Sequence, residues 1–147
     1  MNNYTRLCCA LVFASSAYAD EKYFFNQWQQ ATQKHDLVTL QKLIEPNTVI
    51  EVLWIDAEPN LRFVMTAAQY LQQVKALWRF GSEESYHFDK VNWNRKSDVN
   101  LQLSFSQTEK RVLFDKASGQ RSELLIDLVK TQDSWRANYI KATVSMW

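Results

Sequence analysis

Hydrophobic positions recur every three to four residues through the first half of the chain and every second residue through the last part, so helices should precede strands. Phe24 or Phe25, Trp28, Ala31 and Thr32 keep helical spacing and predict a first helix from about Glu21 to Lys34. Asp36 is placed to cap a short second helix whose Leu37, Leu40, Leu43 and Ile44 share a face, and Pro46 should stop it. Thr48 to Asp56 is rich in β-branched and aromatic residues and reads as a strand. Thr66 and Gln69 have the spacing of a capping box, with Met65 and Tyr70 as the hydrophobic staple around it. The third helix they open carries an apolar stripe of Ala67, Tyr70, Leu71, Val74, Leu77 and Trp78, and Gly81 should end it.

From Tyr86 onward the pattern alternates. Val99, Leu101, Leu103 and Phe105 are interleaved with Asn100, Gln102, Ser104 and Ser106, which describes a half-buried antiparallel strand. Strands are expected over Arg111 to Lys116 and Arg121 to Thr131, joined by a turn at Ala117-Ser118-Gly119-Gln120, and a last strand returns through a turn at Asp133-Ser134. In this meander Leu124, Ile126 and Leu128 face one way and Leu125 and Val129 the other. Both faces are therefore apolar, so helices can cover one and a second copy of the chain is expected on the other, as a sheet-to-sheet homodimer. Which face turns inward stays open at this point.

The first residues change the picture of where the protein works. Arg6 lies in a short basic n-region, Leu7 to Ala14 is apolar over a secretory rather than membrane-spanning length, and Ala17-Tyr18-Ala19 fits a cleavage site. Residues 1–19 are thus expected to be a signal peptide, and residues 20–147 a single domain in the periplasm or outside the cell. Cys8 and Cys9 both fall in the leader, so no disulfide or cysteine metal site is expected in the mature chain. The 147 residues hold 17 Lys plus Arg against 16 Asp plus Glu, and the leader carries one of those basic residues. That balance speaks against nucleic acid as a partner, and no stretch is apolar for long enough to span a bilayer. With only Gly81 and Gly119, there is no glycine-rich loop to cradle a phosphate, and no cofactor is expected.

The order helix, helix, strand, helix, meander, entered through Trp28 and His35-Asp36-Leu37 and closed by a Trp135 strand, resembles the NTF2-like (SnoaL-like, ketosteroid isomerase-like) superfamily. The resemblance implies an α+β cone, with helices packed in the concavity of a strongly curved, mostly antiparallel sheet and a blind pocket between them. Asn47-Thr48-Val49-Ile50-Glu51 looks like the strand that carries the proton-shuttling carboxylate of ketosteroid isomerases. Ile126-Asp127 looks like the strand of their oxyanion-hole acid. The family's helical tyrosine falls on Trp28, which offers an indole N–H in place of an acidic hydroxyl.

Glu51 and Asp127 are accordingly the candidate catalytic pair, each flanked by apolar residues on its own strand face. Burial there would raise a carboxyl pKa toward proton-transfer range. A two-residue last turn would set Arg136 and Asn138 on the face of Asp127. Trp28, Trp54, Tyr70, Trp78 and Trp93 are candidate pocket aromatics, although aromatics at such spacing more often serve as core. His35 and His87 lack ligand spacing, so no metal site is expected. Three functions remain open: a binding protein for a small apolar molecule, a small cofactor-free lyase, isomerase or hydrolase using Glu51 and Asp127, and an envelope protein-interaction module. The first requires only the fold.

Overall fold

The computed structural model describes residues 21–132 and 134–147. The leader and Asp133 lie outside the described residues, and the expected cleavage after Ala19 and part of the expected last turn fall there.

Helix α1 (21–34) leads through His35 into α2 (Leu37–Lys42), and strands β1 (Ile44–Trp54) and β2 (Leu61–Thr66) precede α3 (Ala67–Phe80). Four long strands follow: β3 (Gly81–Arg95), β4 (Asn100–Leu113), β5 (Lys116–Thr131) and β6 (Ser134–Met146). They form one six-stranded curved sheet in the order β2-β1-β6-β5-β4-β3. Every pairing is antiparallel except β1 with β6, which the intervening helix and meander make parallel. This is the expected α+β cone. Among the described residues no helix is long and apolar enough to cross a membrane.

The helix ends follow local chemistry. Asp36 accepts from the backbone N–H of Thr39 at 3.0 Å, and the Thr66 and Gln69 capping box forms with both its hydrogen bonds. The end of α1 is a Schellman turn, in which Asp36 N–H reaches Ala31 O at 2.8 Å and His35 N–H reaches Thr32 O at 3.4 Å. His35 holds the left-handed position of that turn with φ 56°, where glycine is the usual occupant.

Several boundaries differ from the sequence reading: β4 runs unbroken from Asn100 to Leu113 where two strands were expected, and β2 was not expected. Pro46 does not end α2, which stops at Lys42; it lies inside β1, in the register irregularity between Ile44 and Val49 where a missing N–H costs no ladder bond. The turn expected at 117–120 is continuous strand. β4 and β5 instead meet through Phe114 and Asp115, whose φ values of 50° and 62° are those of a two-residue primed hairpin. Gly119 serves the sheet differently: it exchanges backbone hydrogen bonds of 2.9 and 3.0 Å with Trp147, whose indole lies where a Cβ would be.

The core fills the concave side. Trp28, Phe24 and Ala31 of α1 are each 1% exposed and pack with Leu101, Leu103 and Phe105 of β4 and with Leu124, Ile126 and Leu128 of β5. Inward parity on β5 therefore belongs to the even-numbered residues, and Leu125, Asp127 and Val129 face outward, half-buried.

Candidate functional site

Beyond the packed end of α1 the sheet and α3 diverge and leave a cavity of about 230 Å³. β1 and β6 supply Ile50, Val52, Ile140, Ala142 and Val144, the inward residues of their alternation, and α3 contributes the stripe that includes Tyr70, Val74 and Trp78. Trp28, Trp54 and Phe63 complete an aromatic and aliphatic enclosure.

One wall is polar. β4 pairs with β5 without interruption, so the inward parity of Leu101, Leu103 and Phe105 runs on through Gln107, Glu109 and Arg111. Trp28 Nε1 donates to Gln107 Oε1 at 3.1 Å. The Gln107 amide in turn donates to Glu109 Oε1, and Arg111 Nη2 donates to Glu109 Oε2. The Glu109 and Arg111 side chains are 12% and 7% exposed, so the ion pair is largely withdrawn from water. Opposite on β5, Gln120 donates to Ser122 Oγ at 3.0 Å. Desolvation pushes the Tyr70 hydroxyl above the usual phenol range, and the negative charge of Glu109 acts in the same direction. Two donors on this lining, Arg111 Nε and Trp54 Nε1, are buried without a hydrogen-bond partner.

At the rim, the His35 ring stacks on Trp78 with centroids 4.9 Å apart and planes 10° from parallel. Its Nε2 meets Glu84, which also accepts from Tyr86 Oη at 2.8 Å. Desolvation, and then that hydrogen bond, raise the Tyr86 pKa above the usual phenol range.

Of the residues expected to form a site, Trp28, Trp54, Tyr70 and Trp78 line the cavity. Trp93 does not; it packs edge-on to Phe25 at 6.5 Å, against the core. Glu51 and Asp127 are not in the cavity either, because the even-numbered neighbours Ile50, Val52, Ile126 and Leu128 hold the inward parity on both strands. They lie on the convex face. There Glu51 accepts from Tyr139 Oη, and Asp127, opposite Tyr139 in register, accepts from Gln102 Nε2 at 3.0 Å. Arg136 is not the partner of Asp127: it stands opposite Val129, donates to Ile44 O at 3.2 Å and pairs with Glu45 at 3.6 Å. Asn138 is exposed in the register shift between Asp127 and Leu128. The sequence reading missed Gln107, Glu109 and Arg111. The signal was present as the same period of two that marks Leu101 to Phe105, carried six residues further.

No family model matches the chain, and no curated protein matches it. Solved structures do. A scytalone dehydratase candidate from Novosphingobium aromaticivorans is similar at TM-score 0.72 and 10% identity, over 88% of this chain and 85% of that one. LinA is similar at TM-score 0.65 and 9% identity, over 90% and 86%. A protein of cystatin-like fold from Caulobacter vibrioides is similar at TM-score 0.62 and 10% identity, over 88% and 89%. At such identities the likeness is one of fold: the chain has the NTF2-like fold.

Proposed function

We propose that the protein is an exported binder of a small, mainly apolar molecule, held in the concave cavity by Trp28, Trp54, Tyr70 and Trp78. The observation that carries this reading is the cavity itself, about 230 Å³ framed by aromatic and aliphatic side chains with a single polar wall. Pockets of this composition, apolar with a few converging polar groups, are the usual form of small-molecule sites. Two similar structures are named for small organic substrates, scytalone and hexachlorocyclohexane, which fits an occupant of that kind. Native mass spectrometry of the exported protein tests the proposal. A retained small molecule that Trp78→Ala releases supports it; a protein carrying nothing, and unmoved in thermal stability by any apolar probe, refutes it. The same spectrum reads the mature start expected at Asp20.

A second reading, a small cofactor-free lyase, isomerase or hydrolase, draws on Glu109 rather than on Glu51 and Asp127. Glu109 is a carboxylate on the cavity wall, where it could accept a proton from a bound substrate. Turnover abolished by Glu109→Gln with binding retained would select this reading.

We further propose a homodimer through the convex face, where Val49 and Val64 are 44% and 60% exposed on the face that also carries half-buried Leu125 and Val129. Light scattering at micromolar concentration should report about twice the chain mass.

A further inference from the structure

The polar wall carries information about the charge of the occupant. The sheet register orders the lining into rows across the cone. Phe105, Leu124, Ala142, Val52 and Phe63 form an apolar row, and the next row along the strands is Gln107, Ser122, Val144 and Trp54. Glu109, Gln120 and Met146 follow, with Arg111 beyond them on β4. The cavity is thus apolar toward α1 and polar at one end.

That end holds one anion and one cation, and they are paired with each other. Glu109 has a donor on each oxygen, Gln107 on Oε1 and Arg111 on Oε2, and Gln107 is itself oriented by Trp28. The charge of the guanidinium is therefore cancelled within the wall, while its Nε keeps an unused N–H. Trp54 Nε1 is a second unused donor. The phenol of Tyr70, shifted upward, stays neutral and adds no charge. The wall consequently offers hydrogen-bond donors without net positive charge.

Building on the proposed binding function, we infer that the cavity selects an uncharged, largely apolar molecule bearing a hydrogen-bond-accepting oxygen, such as a ketone, and rejects the carboxylate of the same shape. The unused N–H groups of Arg111 and Trp54 are covered by their neighbours, so an acceptor oxygen meets either one after that side chain turns toward the cavity it lines. A carboxylate would give up its hydration, find the charge of Arg111 already neutralised, and stand beside the like charge of Glu109. Size follows from volume, since a sealed apolar cavity of about 150 Å³ accepts benzene, so roughly ten non-hydrogen atoms fit here.

Acetophenone and benzoate differ in charge but hardly in shape, and 4-methylacetophenone and 4-methylbenzoate extend the comparison by one methyl group. Protein-observed NMR titration at neutral pH and low salt should show each ketone bound at least about tenfold more tightly than its carboxylate. Glu109→Gln leaves the Arg111 charge uncompensated and should shift that ratio by about tenfold or more toward the carboxylate. If the single variant does not fold, Glu109→Gln with Arg111→Gln leaves the wall neutral and should keep the preference for the ketone. Carboxylates bound as well as ketones by the native protein, or a ratio that Glu109→Gln leaves unchanged, overturn the charge selection and leave the binding function standing. Binding of none of the four probes overturns the selection for a neutral acceptor-bearing molecule, and the binding function falls with it when native mass spectrometry also finds the protein empty.

Discussion

Replacing Trp28 with Phe tests whether the indole is an architectural strut or only bulk. Trp28 is 1% exposed, lies against Phe24 and Phe105 at centroid distances of 6.2 Å each, and gives its one N–H to Gln107 at 3.1 Å. Phenylalanine keeps the packing on Phe24 and Phe105 but removes the equivalent of about two buried methylenes, worth roughly 1.6 kcal/mol. It also leaves Gln107 Oε1 without its donor, a loss of about 1–2 kcal/mol for a buried amide oxygen. The new space joins the existing cavity, so no sealed void is added to the cost. The sum, about 3 kcal/mol, corresponds to a midpoint temperature lower by roughly 10 °C in a domain of this size. Urea unfolding followed by far-UV circular dichroism measures it. A double-mutant cycle with Gln107→Leu isolates the hydrogen bond, because the contact from Gln107 to Glu109 is lost in both Gln107 variants and cancels. The double variant should be more stable than the sum of single losses by about 1–2 kcal/mol. A Trp28→Phe loss under about 1 kcal/mol, or strictly additive variants, would refute the reasoning.

The convex face gives a pH prediction: the Tyr139 hydroxyl, bonded to Glu51 and partly desolvated, is raised from 10.0 to about 12. A raised phenol contributes stability that is complete below pH 10 and lost as pH climbs through about 12, so Tyr139→Phe should make the alkaline limb of the stability curve shallower, with the raised phenols of Tyr70 and Tyr86 carrying the remainder, and Glu51→Gln should lower the pKa seen by NMR. Glu123 runs the other way, held below 4.5 first by the Ser106 hydroxyl and then by Arg121. Its contribution is present above pH 4.5 and fades as pH falls below it, and Ser106→Ala should bring the Glu123 titration back up. At His35, φ 56° makes His35→Gly more stable than His35→Ala by about 1 kcal/mol, against their helix propensities; equal stabilities would show that the turn relaxes. Gly119→Ala should displace the Trp147 indole and cost about 1 kcal/mol or more, whereas Trp147→Ala should make the same change nearly harmless; additive losses would mean that Trp147 is not what excludes the side chain.

The sequence by itself determined the cone. Its switch of period from helical to two, the caps at Asp36 and Thr66 and the alternation through Leu101 to Phe105 are local properties that any chain with these residues carries. It determined the aromatic part of the site too, because Trp28, Tyr70 and Trp78 lie on the apolar stripes of their helices. Tertiary structure decided which strand face those stripes cover. Alternation names two faces and gives neither a direction, and only the packing of α1 on Leu124, Ile126 and Leu128 turned Asp127 and Glu51 outward. Tertiary structure also carried β4 without a break through Gln107 to Lys110, turning Gln107 and Glu109 into the polar wall of the cavity. A run of polar residues reads as a loop until an element is found that satisfies it, and here Trp28 and Arg111 do so through Gln107 and Glu109. The short edge strand β2 was hidden for a related reason, since Leu61 to Thr66 acquires its strand character from pairing with β1 rather than from a pattern of its own.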